Sequence, residues 1–149
     1  MKKVLYVMDS FFPMKNVYSL KYARHNEKAC RYLDKKLEFT DWVITTAFYS
    51  SLHYVRYKIF PIQLERNGKR IQVKNFEQYY RINNPLQRSK HELLSDLVEE
   101  KYTEIAVDYN KLRDISWTAR YSNYRYPREI SNDAKKSLER IRDFCTKEK

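Results

Sequence analysis

A chain of 149 residues with one glycine and four prolines has few places where it can turn. An all-β sandwich needs a turn signal every ~8 to 12 residues, so this sequence calls for long helices joined by few breaks. The lone glycine, Gly68, follows Asn67, and an Asn-Gly step is a strong two-residue hairpin signal because both turn positions take positive φ. With Arg66 opposite Lys69, the pairs Leu64–Ile71 and Ile62–Val73 fall on one face, and Glu65–Arg70 and Gln63–Gln72 on the other. Two apolar pairs on one side and an opposite-charge pair on the other are what cross-strand pairing rewards. A small β-hairpin therefore interrupts an otherwise helical chain.

Apolar positions at helical spacing supply the rest. Leu20, Ala23, Cys30, Leu33 and Leu37 predict an amphipathic helix from Val17 to Leu37. The run FTDWVITTAFYSSLHYVRYKIFP has Thr40 or Asp41 in position to cap and Pro61 to stop it, and its apolar residues cover more than one face. Such a helix sits centrally, with neighbours on both sides. NFEQYYRIN predicts two helical turns, and Ser89 caps a stripe of Leu93, Leu94, Leu97 and Val98. A further helix spans about Thr103 to Arg120 through Ile105, Tyr109, Leu112, Ile115 and Ala119, and a last one runs from Ser131 through Ala134, Leu138, Ile141 and Cys145. The expectation is an all-α, up-and-down bundle of about five helices in one domain over 1–149, with residues 1–16 as an N-terminal arm and 62–88 as a basic hairpin and short-helix insertion.

Thirty Lys and Arg against 19 Asp and Glu give +11, a field that attracts polyanions. Nine basic residues lie between Arg56 and Lys90, among them Arg66, Lys69, Arg70, Lys74 and Arg81, against only Glu65 and Glu77. Interleaved with Tyr57, Phe60, Phe76, Tyr79 and Tyr80, they suit single-stranded RNA, whose backbone needs neutralising and whose bases stack. The competing reading is a solvated hairpin whose cations guard a sheet edge.

Other chemistries leave little trace. One glycine excludes a P-loop and a dinucleotide fingerprint. Cys30 and Cys145 form no CxxC pair, no Cys/His cluster has zinc spacing, and His25, His53 and His91 lie on three separate helices. Neither a metal nor another cofactor is expected. Asp9 interrupts the N-terminal apolar run after five residues, and no run approaches the ~18 to 20 residues of a membrane span, so a cytoplasmic protein with no membrane partner is expected.

Three stretches carry a resemblance. DWVITTAFYSSLHYV, with small residues around an aromatic pair, YNKLRDISWTARY, ending in Arg120, and AKKSLERIRDF occur in an order that resembles the HEPN superfamily of small helical bundles, from about Val17 to Cys145. The resemblance implies a homodimer with a basic groove beside the loop after the penultimate helix. It also implies metal-independent ribonuclease chemistry, a place in toxin–antitoxin or phage-defence systems, and a protein partner such as an antitoxin. Active members pair an arginine with a histidine five to seven residues later, the arginine forking onto the scissile phosphate while the histidine shuttles a proton.

Arg120 falls where that arginine belongs, but the corresponding later positions hold Arg125, Tyr126 and Pro127. A tyrosine with its usual pKa near ~10 is a poor base at neutral pH. The segment RYSNYRY is therefore expected to hold RNA or a nucleotide rather than cut it, with Arg120 and Arg125 on phosphates, Tyr121, Tyr124 and Tyr126 on bases and Asn123 hydrogen-bonding. Cleavage, if any, would rest on Arg120 with Tyr126 or a histidine from elsewhere. The remaining readings are a tyrosine-rich module that binds another protein, and a loop that simply packs on its own bundle, with Arg120 satisfying helix-end carbonyls or pairing with Asp114.

Overall fold

The computed structural model of the chain describes residues 15–122 and 125–147. Among these it contains α1 (Val17–Asp34), α2 (Thr40–Ile59), a hairpin of β1 (Ile62–Arg66) and β2 (Lys69–Val73), α3 (Phe76–Ile82), α4 (Lys90–Lys101), α5 (Thr103–Tyr121) and α6 (Arg128–Thr146). The arm expected over 1–16 lies mostly outside the described residues. Its last residue, Asn16, caps α1 by accepting from the backbone N–H groups of Tyr18 and Ser19.

α2 is the central helix, packed against α1, α5 and α6. Ile44, Phe48 and Val55 are wholly buried on it, and side chains of this kind each contribute about 1.5 to 3 kcal/mol on full burial. Small residues set how closely α1 approaches: Ala23, Ala47 and Ser50 are all buried, and the Ser50 hydroxyl donates to the Ala23 carbonyl at 2.8 Å. A larger side chain at Ser50 would break that bond and push the helices apart.

One carboxylate ties three helices together. Glu27 of α1 accepts from the Tyr54 hydroxyl of α2 at 2.6 Å and from Arg142 Nη1 of α6 at 2.7 Å, with Arg31 one turn along its own helix. Burial pushes the Glu27 carboxyl up, and the three donors outweigh it, holding the group below its usual range.

The hairpin register is the one the Asn67-Gly68 turn dictates, from Ile62 opposite Val73 to Arg66 opposite Lys69. Asn67 and Gly68 take φ of 52° and 71°. The insertion is docked on the bundle: Val73, Phe76 and Tyr79 are buried, and Phe60 at the end of α2 meets Phe76 and Tyr79 edge-on at 6.2 and 5.9 Å. At α4, Ser89 and Glu92 make the reciprocal capping box.

Three local expectations are corrected. α1 ends at Asp34, and Leu37 stands exposed with φ of 60°, outside the apolar stripe. Phe39 rather than Thr40 or Asp41 occupies the N-cap of α2, because the Thr40 hydroxyl oxygen instead accepts from the backbone N–H of Tyr126 at 3.3 Å. α6 begins at Arg128, one turn before Ser131, behind Pro127, whose ring fixes a φ suited to a helix start.

Candidate functional site

The C-terminal half of α5 presents Arg113, Trp117 and Arg120 at spacings of four and three, which aligns them on one face of the helix. Opposite them, the first turn of α4 brings Ser89, His91 and Glu92. Together with Asp114 these residues line an open cleft of about 420 Å³.

Arg120 is half-buried and held from two sides. Its Nε donates to the Ser116 carbonyl at 3.3 Å and its Nη1 to the Tyr49 hydroxyl of α2 at 2.6 Å. The guanidinium lies over the rings of Tyr49 and Tyr121, 5.4 and 5.3 Å from their centroids. No ion pair among the described residues engages it. The Asp114 pairing weighed from the sequence is made by Arg113 instead, at 2.9 Å, while Arg113 Nη1 also donates to the Ser95 hydroxyl at 2.7 Å. A guanidinium has five N–H donors; with two engaged, Arg120 keeps others for a phosphate.

His91 is the residue that one-dimensional spacing could not bring here. Its ring packs 5.6 Å from that of Phe48, and its Nδ1 is buried with no hydrogen-bond partner among the described residues. Burial is the main cause that lowers its pKa, followed by the positive charges of Arg120, Arg56 and Arg113. The imidazole is therefore neutral at pH 7, the form that accepts a proton. Trp117 and Tyr121, 57% and 65% exposed, lie with ring centroids 5.4 Å apart and offer a stacking surface beside Arg120.

The remaining site residues read from the sequence are distributed differently. Tyr126 packs against the core near Thr40 and does not line the Arg120 cleft. Arg125 is exposed, and Asn123 and Tyr124 lie outside the described residues. Arg66, Lys69, Arg70, Lys74 and Arg81 are all exposed on the insertion that follows the C-terminal end of α2. None of them lines the cleft; Lys74 borders a separate depression with Asn16, Tyr18 and Asn75.

Tyr49, Arg113 and Trp117 were not singled out from the sequence, and His91 entered only as one of three histidines that folding could bring to Arg120. The spacing of Arg113, Trp117 and Arg120 along one helix was a usable signal for two of them. No local signal existed for Tyr49 or His91, which meet Arg120 across 71 and 29 residues of chain.

Among the described residues no cluster of three or more His, Cys, Asp or Glu could hold a metal ion, and no helix is long and apolar enough to cross a membrane. Both cysteines are buried free thiols. No family model, no curated protein and no solved structure matches the chain.

Proposed function

We propose that this chain is a divergent HEPN-like, up-and-down helical bundle that binds RNA in the Arg120 cleft and cleaves it without a metal, with His91 as the proton carrier. The observation that carries the reading is that Arg120, Arg113 and His91 line one cleft, with His91 held neutral by burial first and by the neighbouring arginines second.

The chemistry follows from these groups. His91 removes the proton of a ribose 2′-hydroxyl, the oxygen attacks the adjacent phosphorus, and the 5′-oxygen departs and takes a proton from water. The products are a 2′,3′-cyclic phosphate and a 5′-hydroxyl. Arg120 and Arg113 offset the negative charge that grows on the phosphoryl oxygens. Trp117 and Tyr121 stack flanking bases, and the hairpin cations steer the strand inward from a distance. A homodimer, and a place in a toxin–antitoxin or phage-defence pair with a protein antitoxin, go with the HEPN-like reading.

The test is to incubate the purified chain with labelled RNA in chelator beside Arg120→Ala and His91→Ala, scoring cleavage and gel retention. Cleavage lost in both variants with the fold intact is expected. Retention weakened by salt and by Arg120→Ala, without cleavage in the parent, would reduce the protein to an RNA binder. Exposed Val107, Trp117 and Tyr121 on α5 favour one rival, a protein-binding module. A complex that survives high salt, with no RNA binding, would establish it.

A further inference from the structure

A second cavity, of about 210 Å³, opens between the start of α1, the last turns of α2 and the start of α3. Its lining includes Arg56, whose side chain is only 19% exposed. The guanidinium lies over Phe76, 4.5 Å from the ring centroid, and its Nε has no hydrogen-bond partner among the described residues. The nearest carboxylate, Glu77, is 3.7 Å away and is held closer by Lys90, at 2.6 Å. A guanidinium this poorly compensated, on the wall of an open cavity, is a receptor for an anion.

The other walls specify more than charge. His53 faces Tyr22 with ring centroids 5.4 Å apart. Burial, then the charge of Arg56, brings the His53 pKa down to about 4, so the ring is neutral and presents one donor and one acceptor. Asn16 and Asn75 use their side-chain oxygens to cap α1 and α3, which leaves their Nδ2 groups as donors. A cation, two amide donors, a neutral imidazole and the Tyr22 ring match a flat heteroaromatic ring joined to a phosphate. The cavity lies below the ~300 Å³ at which drug-sized ligand pockets begin and is open to solvent, so it encloses part of one nucleotide and leaves the rest in water.

We propose that the Arg56–His53–Tyr22 cavity is a binding site for a single nucleotide, its phosphate at Arg56 and its base against Tyr22. Tyr49, His53 and Arg56 recur at four and three residues on α2, so they share a face. The step from Tyr49, which bonds Arg120, to Arg56 is about 10 Å along the helix. The pocket stands on its own observations; its role as the seat of a neighbouring nucleotide of the same strand rests on the RNA reading of the Arg120 cleft.

Histidine ring signals in the NMR spectrum separate the two sites, because His53 reports on this cavity and His91 on the cleft. Adenosine 5′-monophosphate is titrated into the full chain, with signals assigned by single His→Gln variants. A saturable shift of His53 is expected, with the dissociation constant raised on the order of tenfold in Tyr22→Ala, as loss of one stacking partner predicts. Arg56→Gln is expected to weaken it at least as much. Tyr22 is 54% exposed, so its removal keeps the fold even where Arg56→Gln does not. A response of His91 alone overturns the pocket and leaves the Arg120 reading standing. A His53 shift indifferent to Tyr22→Ala also overturns it, as does silence of His53.

Discussion

Replacing Tyr54 with phenylalanine tests whether Glu27 is the fastening point of α1, α2 and α6. The ring volume is kept and no cavity forms, so only the 2.6 Å bond to the carboxylate is lost. Tyr54 is 2% exposed, so water does not readily replace the missing donor. A hydrogen bond to a charged group contributes about 1.5 to 3 kcal/mol, and in a chain of this size each kcal/mol lowers Tm by about 2 to 4 °C. Tyr54→Phe should therefore melt roughly 3 to 12 °C below the parent at pH 7. The folded-state pKa of Glu27 is lowered, so the stabilisation is present above its unfolded pKa of about 4.3 and is lost as pH falls through the lower folded value. The difference between variant and parent should accordingly shrink below about pH 4. Thermal melts followed by circular dichroism at pH 7 and pH 3.5 measure both. A Tm at pH 7 within about 1 °C of the parent would refute the account, as would a gap that widens in acid.

Four further outcomes follow from the same structure. The acid limb of the pH profile for RNA cleavage should fall below the ordinary histidine value of ~6.5, and Arg113→Gln, by removing one positive charge, should move it to higher pH. Gly68→Ala should lower stability by about 1 to 2 kcal/mol through backbone strain alone, since φ is 71° and a Cβ there meets nothing within 4 Å; a urea titration reads this. Ser50→Leu, placed between α1 and α2, should cost about 1 to 3 kcal/mol or more from overpacking, seen as a lower urea midpoint. Burial pushes the Cys30 thiol up to about 11 and Cys145 up to about 12, so neither should react with iodoacetamide at pH 8 until the chain unfolds, as mass spectrometry would record.

Features governed by neighbours in the chain were legible in the sequence. The hairpin register follows from one Asn-Gly step and a period of two, and every predicted pair is present. The α4 cap follows from Ser89 and Glu92 three residues apart, and the centrality of α2 from apolar residues on more than one face. One boundary slipped where a distant group competed for a local role: Tyr126 takes the Thr40 oxygen that would otherwise cap α2.

The candidate site belongs to the other category. Arg120 could be singled out from its place at the end of a helix, whereas its partners could not, because hydrogen bonds and charge act over a few ångströms regardless of separation along the chain. Packing α4 against α5 carries His91 to Arg113 and Arg120, and packing α5 on α2 carries Tyr49 to Arg120. The same packing leaves Tyr126 beside α2's first turn and the hairpin cations at its other end. The sequence by itself determined the helices, the hairpin and the positive charge, and offered one candidate arginine. Only the tertiary structure decided which histidine that arginine meets, since periodicity specifies the face a side chain occupies and helix packing specifies what that face touches.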